Sequence, residues 1–436
     1  MKKVALHNLG CKVNAYETEV MQQKFENAGY EIVPFDEVAD IYVINTCTVT
    51  NIADRKSRQM LHRAKKQNKD AVVVAVGCYV QVAEEKLKDD DAVDIIVGNN
   101  KKNEIVEIIN KYNADKTENK AVFDIGIQSE FEDMMLETVK EHTRAYIKIQ
   151  DGCNQFCSYC IIPYARGRIR SRKIKSILDE VKQLVSQGYK EVVLTGIHVS
   201  SYGRDFENEN AGLADVIENL DAVDGLERIR LSSLEPGIIT EKFAETLSKS
   251  KKICPHFHLS LQSGCDATLK RMNRHYTSDE YYEKCCILRK YFDNPAITTD
   301  VIVGFPGETE EEFIKTEQFV RRVEFADMHI FKYSKRQGTK AATMENQVDD
   351  NLKNERSRKL IELAAENAEK YRSSHIGQNV SVLFEEETEI NGVKYWTGYT
   401  KEYIKTAVRL EENLENKILN VRIFDKLNEE IMLAQL

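Results

Sequence analysis

The chain has 436 residues and a formal net charge of -9. That length exceeds one ordinary core and predicts about three domains. The acidic balance excludes a whole-protein pull toward nucleic acid, so any polyanion site has to be a local patch. MKKVALHNLGC has neither the long apolar run nor the small-residue cleavage site of a secretory signal, and no stretch reaches membrane-spanning length. The expected compartment is the cytoplasm. Ten cysteines in such a chain predict metal binding or catalysis for the clustered ones, not a disulfide framework. Cys254, Cys265, Cys285 and Cys286 read as small core hydrophobes.

Predicted strands at 2–7, 41–46, 71–77 and 94–98 alternate with helices near 14–28, 52–68, 80–88 and from about 103. Continuous apolar strands between helices indicate a buried parallel sheet, hence an N-terminal parallel α/β domain over 1–112. Residues 113–140 are polar and read as a linker with one short strand, AVFDI. A second series follows over 141–348, with strands at 146–150, 191–196, 228–233, 256–262, 298–304 and 328–334. Six βα units in fewer than about 200 residues fit a six-stranded partial barrel better than a closed eight-stranded one. The charged stretch 349–371 carries Leu352, Leu360, Leu363 and Ala364 at helical spacing and predicts a connecting helix. Short strands with turns over 372–436 predict a small antiparallel β-barrel.

DGCNQFCSYC places Cys153, Cys157 and Cys160 in one short loop after the first barrel strand. Zinc usually takes four ligands, often from paired C-x2-C arms. Three thiolates without a suitably spaced histidine (His142 and His198 are nearest) point to an iron–sulfur cluster with one iron left open. Phe156 and Tyr159 lie between the thiols; they shield the loop, and Tyr159 is also placed to lean on a cofactor ring. Cys11, Cys47 and Cys78 each end a predicted parallel strand. Such strand ends share one rim, where ligands bind, so these thiols are expected to converge on a second cluster. Separate buried cysteines are the other reading. Asn14, Asn45 and Thr46 would then donate around the sulfur.

The other strand ends are polar and glycine-rich: TGIHVSSYG, LSSLEPG, SLQSG and VGFPGET. Thr195, Gly196, Ser232, Glu235, Gln262 and Gly304 are candidate cofactor contacts. Ordinary turn chemistry also accounts for VGFPGE. Glu308 and Glu310 need no role beyond favouring a helix start. Arg166, Arg168, Arg170, Arg172, Lys173 and Lys175 follow the thiol loop with no acid among them. Beside a candidate active site such a run predicts phosphate binding, extended by Lys332, Lys335 and Arg336; a solvated face is the plainer reading. The 372–436 segment has no basic surplus, so RNA contact there would fall to Tyr395, Trp396, Tyr399 or Tyr403 unless these are core.

Cys153, Cys157 and Cys160 resemble the C-x3-C-x2-C signature of radical S-adenosylmethionine enzymes. GCNQFCSYCIIPYARG, LSSLEP, HLSLQSG and DVIVGFPGET resemble the methylthiotransferase branch over essentially the whole chain. The resemblance implies a radical-SAM partial barrel, a C-terminal TRAM-like barrel, two [4Fe-4S] clusters and S-adenosylmethionine. It puts the auxiliary cluster on Cys11, Cys47 and Cys78. IPYARGRIRSR, TGIHVSSYG and RIRLSSLEP are most similar to the group that modifies C2 of N6-threonylcarbamoyladenosine at tRNA position 37. That implies binding of the tRNA anticodon stem-loop, with Arg166, Arg168, Arg170, Arg172 and Lys173 holding phosphates. It also implies an electron donor such as flavodoxin or ferredoxin, and no membrane. Isopentenyladenosine in tRNA and an aspartate of a small-subunit ribosomal protein are the other substrates of the branch. The acidic terminal domain keeps the protein substrate open. A zinc-containing RNA-binding module is the non-enzymatic alternative.

Overall fold

IYVINT (Ile41–Thr46) and VVVAVG (Val72–Gly77) are buried at every position, as strands covered on both faces must be. The computed structural model describes residues 1–115, 120–127, 130–137, 143–207 and 211–436. These two strands centre a six-stranded sheet, parallel throughout, in the order Glu31–Ile32, Lys3–Asn8, Ile41–Thr46, Val72–Gly77, Ile95–Val97, Lys120–Ala121. The helix Lys12–Asn27 buries Val13, Tyr16, Val20 and Met21. Tyr16, Val20 and Met21 share one apolar core with Ile147 and Ile149 of the first barrel strand, so the sheet domain and the barrel are packed together. Asn51–Gln67 starts where the Thr50 hydroxyl accepts from the Ala53 N–H at 3.1 Å. The helix expected near 80–88 is interrupted at Ala83, giving Cys78–Val82 and Glu84–Lys88.

The described part of 113–140 is packed and not a free linker. Lys120–Ala121 closes the sheet edge, a shorter strand than AVFDI suggests, and Ile125, Met134 and Leu136 are buried. The Tyr16 hydroxyl donates to the Met134 carbonyl.

Six parallel strands follow in chain order: Arg144–Asp151, Glu191–Gly196, Arg228–Leu231, His256–His258, Ala296–Val303 and Asp327–Lys332. The first three and the last three are separately hydrogen-bonded, and bridges at Ile229–Ile253 and Leu234–Leu259 join them. The result is a six-stranded open barrel. A two-residue strand, Arg170–Ser171, pairs antiparallel with the first strand's end; it lies within the basic run and carries no pattern of its own.

Asp350–Ser373 forms the connecting helix, burying Leu360, Leu363 and Ala364. The terminal five strands close a barrel in the order Asn379–Ile390, Val393–Thr400, Lys405–Val408, Met432–Gln435, Ile418–Lys426. One of its pairs, Lys405–Val408 with Met432–Gln435, is parallel. Trp396 belongs to its core. Tyr399 and Tyr403 stack on each other at 4.6 Å, and Arg144 lies over both rings. Trp396 is therefore core, as the alternative reading had it, while Tyr399 and Tyr403 pack against Arg144, with Tyr403 still 39% exposed.

The C-terminal barrel docks through arginines of the RIRL strand. Arg228 donates to Ser381 O at 2.8 Å and Tyr399 O at 2.9 Å, and Arg230 to Lys401 O at 2.9 Å. Arg230 also pairs with buried Glu191 at 2.8 Å. Arg230→Met removes its own docking bond to Lys401, leaves those of Arg228, and weakens the pairing of a buried carboxylate. It is expected to cost about 3 kcal/mol and to speed proteolytic release of residues 372–436, read by thermal unfolding and limited digestion.

Candidate metal centres

The first barrel strand ends at Asp151, and Gly152 turns the chain with φ +72°. A Cβ there would lie 1.7 Å from the Arg168 carbonyl oxygen, so only glycine fits. The Cys153 N–H then donates to Gly167 O at 3.0 Å, Cys160 N–H to Cys157 O at 2.9 Å, and Ser158 N–H to Met272 O at 2.9 Å. This loop holds Cys153, Cys157 and Cys160 within electrostatic reach of one another. Burial pushes the Cys153 thiol up to about 11 and the Cys160 thiol up to about 12. Iron binding at these thiols therefore displaces protons.

Arg274 was missed in the sequence. It is buried beside the loop, donating to Cys157 Sγ at 3.3 Å, to Glu235 at 2.7 Å and to the Ser260 carbonyl at 3.2 Å. The only hint is RMNRHYT, a cation just past a short helix. Glu235 also faces His198 at 3.7 Å, and its backbone N–H donates to Ser200 Oγ at 2.8 Å. Burial alone would raise the Glu235 carboxyl, but His198 and Arg274 hold it below the usual range.

Thr195 is buried at the end of its strand. A Cβ on Gly196 would come within 3.0 Å of Gln150 and Val199. Ser232 Oγ is buried without a hydrogen-bond partner in the protein, and His198 Nε2 has only the long contact to Glu235 at 3.7 Å. Gln262 has φ +67° and bridges strands through its backbone, its N–H donating to Asp300 O at 2.8 Å. Tyr159 lies edge-on to Phe305 at 6.4 Å and within electrostatic reach of Cys157 and Cys160. A Cβ on Gly304, at the end of the strand Ala296–Val303, would meet Lys353 Cγ at 2.3 Å, so the connecting helix packs closely against it. Glu308 pairs with Arg356 of that helix at 2.8 Å.

Cys11, Cys47 and Cys78 meet at the C-terminal edge of the N-terminal sheet, within electrostatic reach of one another. Gly10 packs directly on Cys47: a Cβ would lie 2.8 Å from its sulfur. Arg166 Nε donates to Cys78 Sγ at 3.1 Å, and Asn99 Nδ2 reaches that sulfur at 3.7 Å while donating to Ala165 O at 2.7 Å. Both donors tie the second trio to the helix Ile162–Arg166, which begins two residues past Cys160. Asn14 donates to Leu9 O and Thr46 O, and Asn45 to Asn14 O, so these amides brace the backbone around the thiols.

Behind this trio lies a buried ionic network. Glu17 accepts from Arg166 at 2.5 Å and Lys148 at 2.6 Å, and also pairs with Lys102. Asp151 pairs with Lys148 at 2.7 Å and Arg166 at 3.2 Å, with Arg170 at 3.7 Å. Four buried cations thus face two buried carboxylates, with Glu132 at the edge. The surplus positive charge points at the thiols, which suits an anionic thiolate cluster.

The same burial removes four arginines from the expected phosphate patch. Arg166, Arg170 and Arg172 are fully enclosed, the last paired with Glu180. Arg336 is buried too, bonded to Asp54 and Thr48 of the N-terminal domain. Arg168 and Lys173 remain on the surface, lying over Phe156 and Phe206 at 4.5 Å each. Lys175, Lys332 and Lys335 are also exposed. His142 lies outside the described residues.

Among the described residues no three His, Cys, Asp or Glu side chains are placed to hold a single metal ion. A cubane cluster sets its protein sulfurs farther apart than one ion does, and thiols alone are its usual donors. Both trios fit that donor set.

The model described as the radical SAM superfamily matches residues 147–320, and that described as uncharacterized protein family UPF0004 matches residues 3–98. The chain is 44% identical to the threonylcarbamoyladenosine tRNA methylthiotransferase MtaB of Bacillus subtilis (strain 168), over 97% of this chain and 94% of that protein. The chain belongs to the radical S-adenosylmethionine methylthiotransferase family. The tRNA-2-methylthio-N(6)-dimethylallyladenosine synthase of Finegoldia magna is 36% identical over 95% of this chain and 90% of that one. The radical S-adenosylmethionine methyltransferase TsrM from Kitasatospora setae shares the fold, with a TM-score of 0.56 at 14% identity over 76% of this chain and 73% of that one. The methylthiotransferase family uses S-adenosylmethionine and two [4Fe-4S] clusters, and this member is an enzyme of that kind. No helix among its described residues is long and apolar enough to cross a membrane.

Proposed function

We propose that this enzyme converts N6-threonylcarbamoyladenosine at position 37 of tRNA to its 2-methylthio derivative. In this reading Cys153, Cys157 and Cys160 hold the cluster that binds S-adenosylmethionine, and Cys11, Cys47 and Cys78 hold the second. One observation supports it: the two thiol trios, one on the barrel's first loop and one at the edge of the N-terminal sheet, are coupled through Arg166, which ends the helix after one trio and bonds a sulfur of the other. When bound, the clusters and S-adenosylmethionine supply radical hydrogen abstraction and methylated sulfur, which no side chain can deliver at the C2–H of adenine.

The protein's part is to bind, orient and exclude water. Ser232 offers an unpartnered hydroxyl, and His198 a weakly engaged imidazole nitrogen, to the amino-acid end of S-adenosylmethionine, with Thr195, Gly196, Gln262 and Tyr159 around them. Glu235 and Arg274 lock each other beside Cys157. Arg168 and Lys173, which with Lys175 are the surface members of the basic run, are the anticodon stem-loop contacts. Phe331, 50% exposed on the barrel's last strand, offers a stacking face for a base splayed from a single-stranded loop. A low-potential donor such as flavodoxin or ferredoxin reduces the enzyme, in the cytoplasm.

Nucleosides from tRNA of strains with and without the gene test this. The 2-methylthio form of threonylcarbamoyladenosine is expected only where the gene is present, with its precursor accumulating otherwise. A change confined to dimethylallyladenosine, or to a ribosomal protein, would reassign the substrate.

A further inference from the structure

The concave face of the open barrel is polar and cationic, and most of its charges are already paired. Arg230 is bonded to Glu191, and Arg144 to Glu385 at 3.1 Å. His258 accepts or donates at Thr298 at 3.0 Å and faces Asp300 at 3.4 Å. Two further groups stand out among the described residues. Lys12, beside the thiol Cys11, is exposed and has no hydrogen bond or ion pair among the described residues. It nevertheless lies within electrostatic reach of Arg144 and Arg230. His256, at the base of the same face, rests on the Tyr403 ring at 5.1 Å, and its Nδ1 is buried without a partner.

A lysine held near two arginines, with no acid of its own, is in a repulsive position that an incoming anion would relieve. His256 feels the same field. Burial, then Arg230, His258, Lys12 and Arg144, hold it well below the usual imidazole value, so it stands there as a neutral hydrogen-bonding ring. One ammonium without an acid partner and one imidazole with an unused nitrogen therefore lie within electrostatic reach of each other.

We infer that Lys12 and His256 receive the carboxylate at the end of the substrate's N6 side chain, so that they determine specificity for a carboxylated adenosine over one bearing a hydrocarbon. The inference rests on the proposed function and names the residues that read that substrate. A threonylcarbamoyl group ends in a carboxylate and a hydroxyl, which suits a Lys–imidazole pair. A dimethylallyl group is a branched hydrocarbon and would desolvate Lys12 and His256 with nothing in return.

The test uses the cluster-loaded enzyme and three synthetic anticodon stem-loops. One carries N6-threonylcarbamoyladenosine, one its neutral methyl ester, one N6-dimethylallyladenosine. The free acid is expected to be favoured over the ester by about 10- to 100-fold in kcat/KM, the worth of one charge-assisted hydrogen bond. Lys12→Met should erase that preference mainly through KM, with iron content unchanged, and Lys12→Arg should restore most of it. His256→Leu should reduce it. Equal use of acid and ester by the unaltered enzyme would overturn the inference while leaving the proposed function standing, as would a full preference retained in both Lys12→Met and His256→Leu. Failure to convert either threonylcarbamoyl substrate, with turnover of the dimethylallyl one, would overturn both.

Discussion

Replacing Cys153, Cys157 and Cys160 together by alanine is expected to abolish S-adenosylmethionine cleavage and to halve the iron, from about eight to about four per chain. The physical reason is that the two trios are built by different elements. One sits on a single loop pinned by Gly152, Gly167 and the Met272 carbonyl. The other is assembled from three strand ends of the N-terminal sheet. Its sulfur donors Arg166 and Asn99 are untouched by the change. The converse triple variant, Cys11→Ala with Cys47→Ala and Cys78→Ala, should keep cleavage and lose methylthiolation. Iron, sulfide and 5′-deoxyadenosine are measured after anaerobic reconstitution. Loss of all iron from either triple variant would show that the trios are not independent centres.

Glu17→Gln is expected to be the most destabilising single change outside the cysteines, at about 3–5 kcal/mol. The amide keeps the shape but removes the charge that Arg166, Lys102 and Lys148 share. The four buried cations would then face only Asp151 and the edge residue Glu132, and Arg166 would lose the partner that aims its Nε at Cys78. Denaturant unfolding of the metal-free and loaded protein checks this. The loss should be smaller in the loaded protein, where thiolates supply negative charge. The same network sets an acid limit. Burial alone would raise the Glu17 and Asp151 carboxyls, but the cations hold both well below the usual carboxylate range. Their contribution is fully present above about pH 4, the unfolded value, and is lost as pH falls through the folded values. Glu17→Gln should therefore flatten the acid limb of the stability profile, and an unchanged limb would mean that other carboxylates set it.

What is local was legible. Three thiols in one short loop need no tertiary information to be recognised as a ligand set. Cysteines that each close a parallel strand must share a rim, because strands of such a sheet all end on the same side. The alternation of apolar strands with helices yields the sheet domain and the six-stranded barrel by the same argument. The direction in which a cation points is different. Arg166, Arg170 and Arg172 look like a phosphate-binding run because no acid lies among them. Glu17 meets Arg166 from 149 positions away, and Asp151 and Glu180 meet their partners only once the turn at Gly152 and the helix after Lys173 have formed. Burial of a charge depends on a partner that folding brings to it, so only the packed molecule decides that Arg166, Arg170 and Arg172 face inward, with Arg168, Lys173 and Lys175 left for the surface.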